Sequence, residues 1–436
     1  MDLSRKLAVE CLLKVEKSGF SNLVLSSELN KYSISAQEKA FVTKLFYGTV
    51  ERKLTLEYIL QKYLSKPLNK LDKEVAAIMK SGLYQILYME NVPAYAAINQ
   101  AVGLCSVFKK TSAKGLVNAV LRKCIGFDIN NEKFHNDLEE LSVKYSVNKD
   151  IVNIICRDYP DMFENILAGM FLPPKFTVKI NTVKISKTNY ESLLKDSNIE
   201  FKELALEDAL EIFYKGNVMD IPGFSEGYFF VQGITSQYAV QTAKIKQNDN
   251  VLDLCAAPGG KSFAAAIALN NSGSVTSCDP NLSRLKLIND GAERLGLKNI
   301  TTVQNRGEIY NNNLDKYDVI ICDVPCSGIG IIPKKPDLRY KSMEDVTQLA
   351  QLQFKILSTA SKYLKEHGTI VYSTCTINKE ENQQVVDRFL KENTNFIIKA
   401  QQCPIENIIN DDEKITFLSH LTGFDGFFVA VLEKIW

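Results

Sequence analysis

Hydrophobic positions follow a helical period through the first 125 residues. One run is Leu7, Cys11, Leu12 and Val15. A second run covers residues 76–87, and Pro67 and Pro93 fall between periodic segments, where they mark loops. The stretch 126–150 is polar and indicates a boundary or a weak helix. The pattern predicts an all-helical N-terminal domain, placed at residues 1–140.

The pattern changes after this boundary. A helical segment near 149–157 precedes an extended segment, FTVKINTV at 176–183, and a short helix is predicted at 190–196. We therefore predict a small α+β module over residues 141–235.

From residue 236 onward, short apolar runs alternate with helical patterns. The predicted strands are NVLDLC (250–255), SVTSCD (274–279), ITTV (300–303), YDVIICD (317–323), TIVYST (369–374) and FFVAVLE (427–433). The predicted helices are 262–269, 281–296, 346–365 and 380–391, and Asn378-x-x-Glu381 predicts an N-terminal cap for the last of them. This alternation predicts a doubly wound parallel sheet over residues 236–436, a Rossmann-like α/β domain.

Composition adds limits on location and on metals. No apolar run reaches the roughly 18 residues of a membrane span, and the N-terminus lacks the apolar block of a signal peptide, so a cytoplasmic protein is expected. None of the ten cysteines forms a Cys-x-x-Cys pair, and the chain has three histidines. We therefore expect free thiols and no metal site.

Charge is distributed unevenly along the chain. Residues 1–127 carry 19 Lys and Arg against 10 Asp and Glu, whereas the whole chain has a net charge of +1. A basic N-terminal third favours a polyanionic partner such as nucleic acid, although a solvated helical surface gives the same count.

The segment VLDLCAAPGGKS, residues 251–262, ends like a nucleotide-binding P-loop. A Walker A motif requires glycine five residues before Gly260, and that position is Cys255. The alternative is a nucleotide-like cofactor at the carboxyl end of the first strand. Small residues there let backbone amides approach a ligand, and the following helix points its N-terminus at it. The predicted loop residues are Cys255, Ala256, Ala257, Pro258, Gly259, Gly260 and Lys261.

Asp279 ends the second strand, 20 residues after Gly259. At that distance an acid accepts hydrogen bonds from ribose hydroxyls. The alternative role is a cap for the helix that follows.

Two cysteines and a carboxylate follow later strands. Asp323 and Cys326 lie in DVPCSG, and Cys375 lies in STCT. Their strands should open on the same edge as the glycine loop. A thiolate that adds to C6 of a pyrimidine turns the poorly nucleophilic C5 into an enamine-like carbon that can accept a methyl group. A carboxyl group on the base would stabilise the developing charge, and a second group would remove the C5 proton.

DLCAAPGGKS, DVPCSG and YSTCT, in this order, resemble the RNA 5-methylcytosine methyltransferases of the Sun/NOL1/NOP2 family. VQGITSQ (231–237) and DGFFVAVLEK (425–434) are similar to that family as well. LFYGTVERK (45–53), SGLYQILY (81–88) and KGLVNAVLRK (114–123) resemble its NusB-like RNA-binding domain. This domain combination resembles the RsmB type, which acts on 16S ribosomal RNA.

The resemblance implies a role for each motif. S-adenosylmethionine would lie along Cys255 to Lys261, with Asp279 on its ribose. Cys375 would be the nucleophile, and Cys326 would assist proton removal and product release. Asp323 would contact the cytosine edge, the cofactor or both, and Lys261 would face the target base.

The sequence departs from the family pattern at two places. Aligned on Tyr310, Gly307 stands where the family has an acid near the adenine, with Glu308 adjacent. The family's Arg-x-Asn is Lys179-Ile180-Asn181, which keeps the charge without the planar fork of arginine.

Several alternatives stay open at this point. In DNA cytosine methyltransferases a Pro-Cys thiol is the nucleophile, so the roles of Cys326 and Cys375 could be exchanged. A non-catalytic RNA-binding protein would account for the N-terminal third alone. For the enzyme, the substrate would be an unpaired or extruded cytidine of 16S rRNA, because a stacked base hides its reacting carbon. A monomer is expected.

Overall fold

The computed structural model describes residues 2–18 and 21–436 and divides the chain into two compact units. The first unit runs to Phe171 and also takes in Lys334–Ser342. The second comprises Leu172–Pro333 and Met343–Trp436. Within the described ranges, no helix combines the length and the apolar character needed to cross a bilayer.

The first unit is helical, as the sequence predicts. Its described α-helices are α1 (Leu3–Ser18), α2 (Ser21–Leu29), α3 (Ala36–Glu51), α4 (Lys53–Tyr63), α5 (Lys73–Tyr88), α6 (Ala94–Val107), α7 (Lys114–Lys123), α8 (Asp137–Tyr145), α9 (Lys149–Asp158) and α10 (Phe163–Gly169). Helix α5 is buried along most of its length and carries the core residues Ile78, Met79 and Leu83. At the start of α3, Ser35 and Glu38 form a capping box, which satisfies backbone donors of the first turn.

The segment Lys334–Ser342 is built into this helical unit. Arg339 is fully buried, and its guanidinium donates to the carbonyl oxygens of Tyr145 and Met170, at 3.1 and 2.6 Å. Tyr340 accepts a hydrogen bond from the backbone N–H of Lys53. A buried arginine with two carbonyl acceptors is a specific anchor, since an unpaired buried guanidinium would be strongly destabilising.

The second unit begins with a small antiparallel sheet. Its elements are β1 (Thr177–Ile180), α11 (Lys187–Asp196), β2 (Glu200–Glu203), β3 (Ala209–Phe213) and β4 (Phe229–Val231), and the strand order is β2-β3-β1-β4. Tyr190 on α11 packs against Phe229, 5.6 Å between ring centroids. The α+β character predicted for this stretch is therefore confirmed. Lys179 is largely buried beside Asp208, and burial lowers its pKa.

The larger sheet has nine strands among the described residues. Its elements in chain order are α12 (Ile234–Thr242), β5 (Asn250–Asp253), α13 (Gly260–Ala268), β6 (Ser274–Asp279), α14 (Leu282–Leu295), β7 (Ile300–Gln304), β8 (Tyr317–Asp323), α15 (Val346–Tyr363), β9 (Leu364–Thr374), α16 (Gln383–Glu392), β10 (Phe396–Ile398), β11 (Ile409–Asp411), β12 (Lys414–Phe417), α17 (Ser419–Thr422) and β13 (Phe427–Lys434). The order is β11-β12-β13-β9-β8-β5-β6-β7, and β10 pairs with β13.

The Rossmann-like prediction is confirmed, with one correction to strand direction. Strands β5 to β9 are parallel, but β13 is antiparallel to β9, and β10, β11 and β12 extend that antiparallel part. The run FFVAVLE does not encode direction, because a strand buried on both faces has the same apolar pattern whether its neighbours are parallel or antiparallel.

The predicted cap at Asn378 is also wrong. Helix α16 begins at Gln383, and its N-cap residue Asn382 makes no side-chain cap hydrogen bond. Asn378 instead accepts from the backbone N–H of Glu380 and donates to the carboxylate of Glu381. The local sequence thus closes a turn before the helix.

Candidate active site

The carboxyl ends of β5, β6, β8 and β9 lie at one edge of the sheet, where open α/β sheets bind their ligands. The loop 254–259 follows β5, Asp279 ends β6, and Asp323 ends β8. Cys375 directly follows β9. The topology therefore gathers all the predicted site residues of this unit at the same edge.

The loop after β5 is shaped by its small residues. Gly259 has φ of +111°, and a Cβ atom there would lie 2.6 Å from the ring of Phe263, so only glycine fits. The N–H of Ala256 donates to the carbonyl of Cys278 at 2.8 Å, which ties the loop to β6. Helix α13 starts at Gly260 and points its N-terminus at the loop.

Asp279 faces the same edge and is not the cap of α14, because the N-cap residue is Asn281, whose side chain accepts from the N–H of Ser283. One carboxylate oxygen accepts from the N–H of Asn281 at 2.9 Å, and the other pairs with Arg284 at 2.9 Å. Arg284 also donates to the carbonyl of Ala257 at 2.7 Å. The arginine therefore links the Asp279 carboxylate to the glycine loop.

This donor set fits a nucleotide-like group that carries a ribose. A loop of Ala256, Ala257, Pro258, Gly259 and Gly260 offers no large side chain, and an acid stands on the neighbouring strand. The side chain of Cys255 is engaged in packing. Its thiol packs with the core cluster of β8 and α15, and burial raises its pKa well above the ordinary value.

The P-loop alternative does not match the geometry. A Walker A serine binds Mg²⁺ through its hydroxyl. Here the Ser262 hydroxyl donates to the buried carboxylate of Asp253 at 2.7 Å and accepts from Ser277 at 2.8 Å. Lys261, the counterpart of the phosphate-binding lysine, is paired with Asp323.

Lys261 and Asp323 form the centre of the polar part of the site. The Nζ atom of Lys261, a mostly buried residue, lies 2.7 Å from Oδ2 of Asp323 and 5.2 Å from the ring centroid of Phe427. Ser373 donates to Oδ1 of Asp323 at 2.9 Å. The carboxylate is therefore held from both sides, between the glycine loop and the strand that leads to Cys375.

The two predicted catalytic cysteines are in contact. The Sγ atoms of Cys326 and Cys375 lie 3.0 Å apart, and both residues are partly exposed. The hydrogen bond to Cys375 and burial, with the negative charges of Glu381 and Asp323, hold the pKa of Cys326 well above its usual value. The Cys326 thiol therefore holds its proton more strongly than an ordinary cysteine does.

A close backbone approach fixes the Cys375 loop. The N–H of Gly330 donates to the carbonyl of Cys375 at 3.1 Å, and the N–H of Gly426 donates to Gly330 at 2.8 Å. A Cβ atom at Gly330 would lie 2.1 Å from the carbonyl oxygen of Gly426. Glycine at position 330 lets the segment after Cys326 lie against the segment after Cys375.

Sequence reasoning missed three polar residues at this edge, Arg284, Gln353 and Ser373, and it assigned Glu381 wrongly to a helix cap. A basic residue five places after Asp279 was a usable signal for Arg284, because it faces back from the first turn of the next helix. Ser373 and Gln353 carry no such signal. Gly307 stands where the family has an acid near the adenine. A Cβ atom at this position would lie 3.4 Å from the Cys255 sulfur, and the adjacent Glu308 pairs with Arg306.

No group of three or more His, Cys, Asp or Glu side chains suited to a metal ion occurs within residues 2–18 and 21–436.

Comparisons with known proteins cover the whole chain. The model "16S rRNA methyltransferase RsmB/F" matches residues 240–433, the NusB family matches 2–126, and the ferredoxin-like domain of RsmF/B-like methyltransferases matches 151–219. The chain is 32% identical over 448 residues to the probable ribosomal RNA small subunit methyltransferase B of Bacillus subtilis, covering 99% of this chain and 98% of the relative. It is also 32% identical over 437 residues to the corresponding enzyme of Proteus mirabilis, with the same coverage.

Two solved structures share the fold. The protein PH0851 superposes with a TM-score of 0.85 at 22% identity, over 100% of this chain and 99% of that chain. A methyltransferase homolog from Pyrococcus horikoshii gives 0.62 at 22% identity, over 69% of this chain and 100% of that one. The chain is 32% identical to the two relatives along almost its entire length, and the family model matches its methyltransferase core. The protein therefore belongs to the 16S rRNA methyltransferase RsmB/F family.

Proposed function

We propose that this chain methylates C5 of a cytidine in 16S rRNA, with Cys375 as the nucleophile and S-adenosylmethionine as the methyl donor. The observation that carries the proposal is the 3.0 Å contact between the sulfur atoms of Cys375 and Cys326 beside the Lys261–Asp323 pair. Neither a P-loop NTPase nor a purely RNA-binding protein has a use for two thiols in contact at a ligand-binding edge.

The cofactor would be held by the backbone of residues 255–260, with its ribose hydroxyls on Asp279. When bound, S-adenosylmethionine supplies an electrophilic methyl group. Arg284 would keep the Asp279 carboxylate turned toward the loop, since it contacts both. The target base would be presented to this edge unpaired or extruded, because only then is C6 accessible to a thiol.

Attack by Cys375 makes C5 reactive. The Cys375 thiolate forms a bond with C6, and the electron pair of the C5–C6 double bond moves toward C5 and into the ring. Asp323, held by Lys261 and Ser373, would hydrogen-bond the N3 and N4 edge of the base and stabilise the charge that develops there. Carbon 5 then takes the methyl group and still carries its hydrogen.

Cys326 would resolve this adduct, and its contact with Cys375 would control when its thiol loses a proton. The largest cause of its raised pKa is the hydrogen bond to Cys375. Once the Cys375 sulfur is bonded to C6, the hydrogen bond that most raises the pKa of Cys326 is gone, which favours release of the Cys326 proton to solvent. Its thiolate then takes the C5 proton, the C5–C6 double bond re-forms, and the Cys375 thiolate leaves. One proton is released per methyl transferred, and the thiol pair returns to its starting state.

The exchanged assignment, with Cys326 as nucleophile, is disfavoured by the same geometry. Burial and the negative charges of Glu381 and Asp323 raise the pKa of Cys326, and a raised pKa disfavours the thiolate form that a nucleophilic cysteine needs. Trapping with RNA that contains 5-fluorocytidine tests this, because fluorine at C5 cannot leave as a proton and the adduct persists. We expect the adduct peptide to contain Cys375. An adduct at Cys326 would overturn the assignment.

A further inference from the structure

Glu381 is a fully buried carboxylate in the turn before α16. Its sequence position predicted a helix cap, and the structure gives it another set of partners. Buried acids are rare because the ionised group must replace its hydration with hydrogen bonds. The positions of its hydrogen-bond partners therefore indicate the role of Glu381.

One carboxylate oxygen holds the loop of Cys326. Oε1 accepts from the backbone N–H of Ser327 at 2.8 Å and from Nε2 of Gln353 at 3.0 Å. Ser327 directly follows Cys326 in the chain. The same Nε2 atom of Gln353, also fully buried, donates to the carbonyl of Pro325 at 2.9 Å. The residues on both sides of Cys326 are thus connected to a single carboxylate.

The segment around Glu381 also holds the loop of Cys375. The hydroxyl of Tyr372 donates to the Glu381 carbonyl at 2.6 Å. The next residue, Asn382, accepts from the Thr374 hydroxyl at 2.6 Å and donates to the Thr376 carbonyl at 3.0 Å. Thr374 and Thr376 flank Cys375.

A direct hydrogen bond joins the loop of Cys326 to the loop of Cys375 beside the sulfur atoms. The hydroxyls of Ser327 and Thr376 lie 2.7 Å apart, and both residues are buried. Oε2 of Glu381 accepts from Asn378 at 3.1 Å, so both carboxylate oxygens are satisfied. The Glu381 carboxylate is therefore fully hydrogen-bonded, and replacing it would leave buried donors on both loops without a partner.

We infer that Glu381 is a positioning residue that holds the Cys326 sulfur against Cys375 and thereby sets the rate of adduct resolution. The inference rests on the proposed function, since it concerns the second half of that reaction. Glu381 touches neither sulfur through its hydrogen bonds; it acts through Ser327 and through Gln353.

Its charge supports the same conclusion. Among the causes that raise the pKa of Cys326, the negative charge of Glu381 follows the contact with Cys375 and burial. A neutral side chain at position 381 would lower the pKa of Cys326. The residue therefore affects both where the resolving thiol lies and how strongly it binds its proton.

The test uses the full-length protein, unmodified 16S rRNA and single-turnover kinetics that follow the protein–RNA adduct. In Glu381→Gln the adduct should form at a near-normal rate and resolve roughly 100-fold more slowly, as expected when a reacting group is misplaced by about 1 Å. The KM values for RNA and S-adenosylmethionine should stay within about twofold, because the binding contacts are untouched. Glu392→Gln, which replaces an exposed glutamate of α16 paired with Arg388, is the matched control and should resolve the adduct normally.

The pH profile separates positioning from a loss of folding. Adduct resolution should rise with pH as Cys326 becomes a thiolate, and its midpoint should move to lower pH in Glu381→Gln. A general structural lesion would instead slow adduct formation as well as resolution, raise both KM values and leave the midpoint in place, and that combination would overturn the inference.

If Glu381→Gln does not fold, Gln353→Met is the alternative variant. This substitution removes the hydrogen bond to the Pro325 carbonyl and keeps the Glu381 carboxylate. It should slow resolution without moving the midpoint, and wild-type resolution in this variant would also overturn the inference.

Cys326→Ala distinguishes the two proposals. If that variant accumulates an adduct and Glu381→Gln does not, only the role of Glu381 fails. If no variant forms an adduct, the proposed function fails.

Discussion

The ammonium nitrogen of Lys261 lies 2.7 Å from Oδ2 of Asp323, and this pair joins the first turn of α13 to the end of β8. Lys261 is mostly buried, and Ser373 occupies the other carboxylate oxygen. A carboxylate held in this way has its lone pairs aimed by the protein before a base arrives, which is the arrangement that stabilises developing charge.

Replacing Lys261 by methionine should therefore leave Asp323 without its cationic partner and held by Ser373 alone. We expect the methyl-transfer rate to fall by about 100-fold, the usual effect of removing one preorganised polar group. Lys286→Met, at an exposed lysine of α14 paired with Asp290, is the control. Single-turnover methyl transfer measures both, and equal rates in the two variants would refute the role of the pair.

Asp279 and Arg284 should control cofactor affinity. Loss of one charged hydrogen-bond partner is worth about 1.5–3 kcal/mol, so Asp279→Asn should raise the Kd of S-adenosylmethionine by roughly 10- to 100-fold. Arg284→Met should weaken binding less, because it only orients the carboxylate. Asp290→Asn on the exposed face of α14 is the control. Calorimetry decides the matter: tight binding of ATP with Mg²⁺ and no binding of S-adenosylmethionine would contradict the cofactor assignment.

Asp253 should make the second unit less stable as pH rises. Burial, opposed by the Ser262 hydrogen bond, raises the pKa of this acid from 3.8 to about 7. Below pH 4 Asp253 is protonated in both the folded and the unfolded state, so its ionisation contributes nothing to the free energy of unfolding. Between pH 4 and 7 the unfolded state ionises first, and stability falls. Above pH 7 the full loss, on the order of 4 kcal/mol, is present.

The variant Asp253→Asn does not titrate and can still accept from Ser262. Its Tm relative to wild type should therefore increase as pH rises from 4 to 8, and scanning calorimetry at several pH values measures this difference. A constant difference in Tm across that range would show that Asp253 does not titrate as stated.

RNA affinity should depend strongly on salt, because the first 127 residues carry a net charge of +9. Neutralised phosphates release counterions, so the logarithm of the association constant falls linearly with the logarithm of the salt concentration. Arg122 and Lys123 are exposed at the end of α7, and the double alanine variant should flatten the slope by about one per lost contact. Fluorescence anisotropy with a 16S fragment measures the slope. A slope near zero for the wild type would argue against an electrostatic RNA site.

Parts of the fold could be predicted closely from the sequence. Strands β6 and β8 have the predicted bounds, 274–279 and 317–323, because each is a short strand-like run that ends at an acid. Strand β11 was not predicted, since Ile409–Asp411 is a short, partly exposed edge with no apolar pattern. The three-domain division at 1–140, 141–235 and 236–436 stays a prediction.

The site residues that belong to sequence motifs could be predicted, whereas those whose role depends on contacts distant in sequence could not. Cys326 and Cys375 follow different strands, and parallel topology alone brings them to one edge. Glu381 was interpreted from a local pattern, but its partners Ser327 and Gln353 lie far away in sequence. Arg339 has the composition of a surface segment around it and is nevertheless fully buried, because its acceptors come from the helical unit.

The most direct test of the central claim is mass spectrometry of the adduct that Cys326→Ala forms with unmodified 16S rRNA and S-adenosylmethionine. Cys156→Ala, at a cysteine of α9 outside the site, is the control and should turn over without accumulating adduct. The account predicts a stable conjugate in which Cys375 is bonded to a cytidine that already carries the new methyl group. A conjugate through another cysteine, or methylation without any conjugate, would contradict it.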